Sequence, residues 1–146
     1  MKVILFFMMM SASVCFGQDV SKYRKNWLHS NKDKQLCENM LDELQDTKST
    51  TGKAYLGAYQ MVMAQHLFSP ISKLRSFNKG RENLDNSIKS DGNNAESRML
   101  RFVIQLNAPR FLGYYKNIAE DRSYLQKNVD QLDKLGLKEE FEKLLK

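Results

Sequence analysis

The sequence predicts an all-α protein, a compact bundle of about six helices. Apolar residues recur at helical spacing along almost the whole chain after residue 17, and no segment alternates apolar with polar residues convincingly. Seven glycines and two prolines in 146 residues are too few for the many turns of a sandwich or a barrel. With 42% hydrophobic and 27% charged residues the composition is that of a globular protein, and we expect one domain over residues 18–146.

Residues 1–17 have the three parts of a secretory signal peptide. A lysine follows the first methionine, eight apolar residues come next, and small residues end the segment. The apolar run is shorter than the roughly 20 residues that span a bilayer. We therefore expect cleavage after Gly17, a periplasmic or secreted protein, and no transmembrane segment in the mature chain. The alternatives are cleavage after Cys15, lipidation of Cys15, and a buried first helix of the mature fold in place of a signal peptide. Lipidation is disfavoured because Val14 stands where a small residue normally precedes the lipid-anchored cysteine.

Four helices are predicted in the first part of the chain. Ser30–Asp33 resembles a capping box, and residues 47–52 break the helical pattern. Ser69 and Pro70 are a typical N-cap and first helical residue. Gly80 lies in the middle of the fourth helix and is expected to weaken it by about 1 kcal/mol relative to alanine. The apolar faces are, in order, Val20, Tyr23 and Trp27; Leu36, Met40, Leu41 and Leu44; Tyr55, Leu56, Tyr59, Val62, Met63 and Leu67; and Leu74, Phe77, Leu84 and Ile88.

The later part of the chain predicts a central helix followed by shorter ones. Asn94 is expected to cap a helix over residues 95–106, whose apolar residues surround most of its circumference, and Pro109 ends it. Gly136 is expected to stop the next helix. The apolar residues after the central helix are Ile118, Leu125, Val129 and Leu132, then Leu137, Phe141, Leu144 and Leu145.

Residues 84–96, with the sequence LDNSIKSDGNNAE, resemble the second helix and the following turn of a tetratricopeptide repeat. In that family the helix ends in an aspartate, proline and asparagine turn, and Gly92 stands here where proline is frequent. The resemblance covers roughly residues 70–106. Because no repeat recurs at a period of about 34 residues, it implies tetratricopeptide-like helical hairpins rather than a regular array.

Residues 98–114, with the sequence RMLRFVIQLNAPRFLGY, resemble a segment of small exported proteins of flavobacteria and their relatives. Residues 16–18, Phe-Gly-Gln, are similar to the end of the signal peptides of those proteins. The resemblance covers about residues 53–125. It implies export and a helical fold, and it supplies no catalytic residues.

The positive charge is concentrated in the middle of the sequence. Residues 69–116 contain nine lysines and arginines against four acidic residues, whereas residues 18–68 carry a net charge of +1 and residues 117–146 a net charge of −1. Such a basic face attracts an anionic partner, although evenly solvated lysines are the alternative. The leading hypothesis is an exported, non-enzymatic module that binds a protein or peptide partner through this face. Nucleic acid is disfavoured because the protein is expected to be exported.

The candidate binding residues come from the central helix, the loop after it and an earlier tyrosine pair. Arg98 and Arg101 share the polar stripe of the central helix with Gln105, and an arginine can bind a carboxylate at two points. Alternatively, they pair with Glu96 or with carbonyl groups and hold the loop over residues 107–114. The candidates are Arg98, Arg101, Gln105, Asn107, Arg110, Tyr114, Tyr55 and Tyr59.

Two further functions remain open. One is a small-ligand-binding protein or enzyme with a site between the tyrosines at 55 and 59 and the arginines at 98 and 101. The other is a structural subunit of an envelope complex. The sequence has no phosphate-binding loop, nucleophile elbow or zinc-protease motif, so we expect no catalytic residue, metal or cofactor. Cys37 lies among apolar residues and is interpreted as a small buried hydrophobe.

Overall fold

The computed structural model describes residues 19–146, and all of the regular structure within this range is helical. The all-α prediction is confirmed, while the predicted signal peptide lies outside the described residues. None of the described helices is both long enough and apolar enough to cross a membrane. The helices are α1 (Ser21–Trp27), α2 (Lys34–Leu44), α3 (Thr50–His66), α4 (Pro70–Ser90), α5 (Ala95–Asn107), a 3-10 helix (Arg110–Leu112), α6 (Ile118–Lys127), α7 (Val129–Lys134) and α8 (Lys138–Leu144).

Helix ends follow short-range hydrogen bonds, and most of them agree with the sequence. The side chains of Ser69 and Asn94 accept hydrogen bonds from the first turns of α4 and α5, as predicted. Gly136 ends α7 with a φ of 71°, a conformation that favours glycine. Two expectations were wrong. Asp33 rather than Ser30 caps α2, and α3 begins inside the predicted break because Ser49 accepts a hydrogen bond from Gly52.

The described chain has eight α-helices rather than about six, mainly because its last third is more divided than predicted. The apolar positions between 118 and 132 suggest one continuous stripe. Asn128 interrupts it with a φ of −119° and a ψ of 29°, which separates α6 from α7. The Asn128 side chain donates to the carbonyl of Tyr124 at 2.8 Å and so satisfies an acceptor at the end of α6.

Helices α3 and α4 pack so closely that their backbones touch at Gly57 and Gly80. A Cβ atom on Gly57 would lie 2.5 Å from the Gly80 carbonyl oxygen and 2.6 Å from the Leu84 nitrogen. A Cβ atom on Gly80 would lie 2.8 Å from the Met61 nitrogen. Gly80 is therefore required for helix packing, and its helix-weakening effect is the smaller consideration.

Helix α5 lies between two groups of buried side chains. Its Leu100 and Ile104 belong to a core shared with α1 to α4, whereas Met99 and Phe102 belong to a second core with residues of α6, α7 and α8. The rings of Phe102 and Phe141 meet edge to face at 5.8 Å. Since α5 alone among the described helices contributes buried residues to both cores, the predicted central helix is confirmed.

We predict that Gly80→Ala destabilises the protein by about 3 kcal/mol, because the added methyl meets helix backbone that cannot move aside. Helix propensity alone predicts the opposite sign, a stabilisation of about 1 kcal/mol. Chemical denaturation followed by circular dichroism measures the difference. Gly92→Ala is the matched control, because its Cβ would meet only ordinary contacts from 3.6 Å outward. Equal stability of the two variants would contradict the close approach of α3 and α4.

Candidate functional site

Arg101, the centre of the predicted binding stripe, is committed to a buried ion pair. Its Nε donates to Asp121 Oδ2 at 2.6 Å and its Nη2 donates to Asp121 Oδ1 at 2.7 Å. Asp121 lies in the first turn of α6 and is 0% exposed, and Arg101 is 6% exposed. Burial opposes the charge of Arg101, but the hydrogen bonds and charge of Asp121 outweigh it and raise the pKa of the guanidinium. This pair fastens α6 to α5.

Arg98 strengthens the same junction from one turn earlier. Its Nη1 donates to Asp121 Oδ1 at 2.8 Å and to Glu120 Oε1 at 2.9 Å. Its Nε donates to the Gly92 carbonyl at 2.7 Å, and its guanidinium lies 4.5 Å from the centre of the Tyr124 ring. Arg98 thereby ties the turn before α5 to α6.

Gln105 closes the loop that joins α5 to α6. Its Nε2 donates to Asn117 Oδ1 at 3.2 Å, and its Oε1 accepts the backbone N–H of Asn117 at 3.1 Å. Gln105 is 3% exposed, so its amide is used inside the fold. All three residues of the predicted stripe therefore contact the chain itself. These contacts match the alternative that the arginines serve the fold rather than a partner. Their acidic partners, however, are Asp121 and Glu120 and not Glu96.

The loop residues divide between core and surface. Tyr114 is 3% exposed, its hydroxyl donates to Asp85 at 2.7 Å, and burial raises its pKa. Its ring meets Phe77 of α4 edge to face at 5.9 Å. The side-chain amide of Asn107 donates a hydrogen bond to the Val103 carbonyl at the end of α5. Arg110 is exposed and lies over the ring of Tyr115, which leaves it available to a partner.

The tyrosine pair belongs to the core. The Tyr55 hydroxyl donates to Glu96 Oε1 at 2.6 Å, and the Tyr59 hydroxyl donates to the Tyr23 carbonyl at 2.6 Å. Burial raises the pKa of both phenols. The structure does not join these tyrosines to the arginines in one site, since Glu96 receives Tyr55 and Asp121 receives Arg101. A cleft that Tyr55 lines includes neither Arg98 nor Arg101.

Cys37 has the environment of a structural cysteine. It is fully buried, and its thiol donates to the Tyr59 carbonyl at 3.5 Å. Burial raises the pKa of the thiol to about 12, so the thiol is protonated at neutral pH. A protonated, inaccessible sulfur is not a nucleophile, which agrees with the interpretation of Cys37 as a small hydrophobe.

The prediction that Leu74 belongs to the buried apolar face of the fourth helix is wrong, and the exposure of Phe68 and Ile71 where α3 joins α4 was not predicted. Phe68 is 97% exposed, Ile71 71% and Leu74 49%. On the loop after α5, Phe111 is 87% exposed. Tyr114, three residues after Phe111, packs against Phe77, three residues after Leu74, so the loop after α5 lies alongside α4. The sequence does contain an indication of this exposure. Phe68 directly precedes the Ser69–Pro70 helix start, and Ile71 precedes the residues of the apolar face predicted for the fourth helix.

Comparisons with protein-family models, with curated proteins and with solved structures give no match for this chain. The tetratricopeptide-like hairpin and the similarity to exported flavobacterial proteins therefore stay predictions.

We predict that Asp121→Ala destabilises the protein by about 3–5 kcal/mol, because it leaves the buried Arg101 guanidinium with only longer contacts, to Asp85 at 3.8 Å and to Glu120 at 3.9 Å. Replacing both residues, with Arg101→Met and Asp121→Leu, should recover much of that loss, since the remaining arginine charge is removed as well. Arg75→Ala is the control, because Arg75 is exposed and forms no ion pair within the described range. If Asp121→Ala unfolds at the same denaturant concentration as Arg75→Ala, the pair does not fasten α6.

Proposed function

We propose that this chain is an exported, non-enzymatic interaction module that binds an acidic protein or peptide segment. The binding region, here called the hairpin-end surface, consists of four exposed apolar residues and four exposed cations: Phe68, Ile71, Leu74 and Phe111, with Lys73, Arg75, Lys79 and Arg110. The observation that carries the proposal is the nearly complete exposure of Phe68 just before α4, a helix that carries three exposed cations in its N-terminal half.

The apolar residues of this surface supply binding energy. Burying one such side chain is worth about 1.5–3 kcal/mol, and none of that energy is realised at a residue as exposed as Phe68. Exposed apolar residues that cluster, with polar residues around them, are typical of interaction sites. Aromatic anchors such as Phe68 and Phe111 are the side chains that dominate many protein interfaces.

The cations of this surface supply charge complementarity. Within the basic segment, Arg98 and Arg101 are neutralised by Glu120 and Asp121, which come from α6. Lys73, Arg75 and Lys79 are exposed, and no acidic group in the described part of the chain pairs with them. Exposed positive charge therefore lies on the N-terminal half of α4 and on the loop, the elements that carry the exposed apolar residues, as well as at Lys89 and Lys116. An acidic segment with apolar anchors complements both features.

The proposal predicts that peptides selected from a random library on the wild-type protein combine acidic residues with aromatic or aliphatic ones. Fluorescence anisotropy of a selected peptide should show at least about tenfold weaker binding to Phe68→Ser/Ile71→Ser, because both anchors are lost. Lys73→Glu/Arg75→Glu/Lys79→Glu should weaken binding similarly, and added salt should weaken binding to the wild type. Both variants should melt like the wild type, since the replaced side chains are exposed.

Lys127→Glu/Lys134→Glu is the matched control, because these lysines are exposed on α6 and α7, away from the hairpin-end surface. It should bind the peptide as the wild type does. Selection of peptides without acidic residues, or equal binding to the Phe68→Ser/Ile71→Ser variant, would contradict the proposal. Binding to vesicles of anionic lipid in place of peptides would identify a membrane as the partner and would also overturn it.

A further inference from the structure

A concave site lies on the side of α5 that faces α1, away from the Arg101–Asp121 pair. It is a cleft of about 260 Å³ between α1, α5 and the junction of α7 with α8, and Tyr55 of α3 contributes to its wall. This volume is just below the range of roughly 300–1,000 Å³ that is usual for small-molecule pockets. Most of the lining is apolar and comes from Trp27, Leu28, Met99, Val103, Leu135 and Leu137.

The cleft contains a carboxylate that lacks a partner. Glu140 of α8 is half-buried in its wall, and within residues 19–146 no cation lies within ion-pair distance of it. Burial raises the pKa of the Glu140 carboxyl, with only a partial offset from the charge of Lys143. A partly desolvated carboxylate of this kind is matched by an ammonium group, which supplies both a positive charge and hydrogen-bond donors.

The cleft also contains an arginine with unused donors. The Nε of Arg24 donates to Glu96 Oε1 at 2.6 Å, on the oxygen that also accepts the Tyr55 hydroxyl. A guanidinium has five N–H donors; one is used on Glu96, the Tyr55 hydroxyl oxygen also interacts with the guanidinium, and at least three donors remain. Because Glu96 holds Arg24 in place, the remaining donors form a fixed fork at the cleft, which suits a carboxylate. Lys25, exposed at the same cleft, adds positive charge.

We infer that this cleft binds a small zwitterion with an apolar side chain, of the size of a free apolar amino acid. The ligand carboxylate accepts hydrogen bonds from the free end of the Arg24 guanidinium, and its ammonium group donates to the Glu140 carboxylate. Its side chain packs against Trp27 and the leucines of the α7–α8 junction. The four charged residues of the cleft, Arg24, Lys25, Glu96 and Glu140, sum to zero, which suits a ligand that carries one charge of each sign.

Isothermal titration with L-phenylalanine and L-leucine tests this inference. At least one of them should bind at a single site with a Kd of about 1 mM or below. Phenylalanine amide, which lacks the carboxylate, and 3-phenylpropionate, which lacks the ammonium group, should each bind at least about tenfold more weakly. The two analogues report separately on the Arg24 and the Glu140 ends of the cleft.

Glu140→Gln should weaken phenylalanine binding at least about tenfold and should leave the protein at least as stable at neutral pH. The reason is that the folded protein raises the pKa of Glu140, so the ionised group costs stability once the pH exceeds the pKa of the unfolded chain. Glu139→Gln is the matched control, because Glu139 is its exposed neighbour outside the cleft. Arg24→Lys keeps a charge beside Glu96 but lacks the fork, and it should weaken phenylalanine more than phenylalanine amide.

Three results would overturn the inference. They are the absence of saturable binding of both amino acids, equal binding of phenylalanine and its two analogues, and equal effects of Glu139→Gln and Glu140→Gln. The Phe68→Ser/Ile71→Ser variant, altered only on the hairpin-end surface, should bind phenylalanine as the wild type does. Failure of either proposal is therefore distinguishable from failure of the other.

Discussion

The ion pair between Arg101 and Asp121 determines how the last third of the chain joins the rest. Asp121 is fully buried, and a buried carboxylate is tolerated only where cations and hydrogen bonds compensate it. Two arginines of α5 provide that compensation, so α6 is held where Arg98 and Arg101 reach it. With α6 held there, Leu125, Leu132 and Phe141 of the second core pack against the face of α5 that carries Met99 and Phe102.

The same interaction changes where binding is expected. A charge already neutralised inside the fold does not recruit a partner, and so the basic character of the middle segment is carried by α4 and the loop. The exposed apolar residues lie just before α4, at its start, and on the loop after α5, which packs against α4. Polar groups of α5 thus have two separate tasks. Arg98, Arg101 and Gln105 hold α6, while Glu96 fixes Tyr55 and Arg24 at the cleft beside α1.

The features that the sequence predicts correctly here are local, and the packing and ion-pair features that it misses depend on distant pairs, although the caps at Asp33 and Ser49 and the break at Asn128 are local features that were also missed. Helical periodicity and the caps at Ser69, Asn94 and Gly136 involve residues within a turn of each other. The contact of Gly57 with Gly80 joins two helices, so no short window of sequence contains it. One error was avoidable. Glu96 and Arg101 are about 140° apart around an α-helix, which already argues against pairing them. The pairing of Arg101 with Asp121 could be identified only from the fold, because Asp121 lies 20 residues further along the chain.

Arg101 has a structural role in this fold, and we propose that the exposed cations bind the partner. Proton–nitrogen NMR of the arginine Nε–H groups distinguishes the two roles, with a selected acidic peptide added to the labelled protein. The Arg101 signal should be sharp and should exchange slowly with water, because its Nε–H donates to Asp121 in the protein interior. It should not shift when the peptide binds. The signals of Arg75 and Arg110 should exchange rapidly and shift. An Arg101 signal that exchanges as fast as that of Arg75, or that shifts most on binding, would show that Arg101 contacts the partner and is not a structural residue.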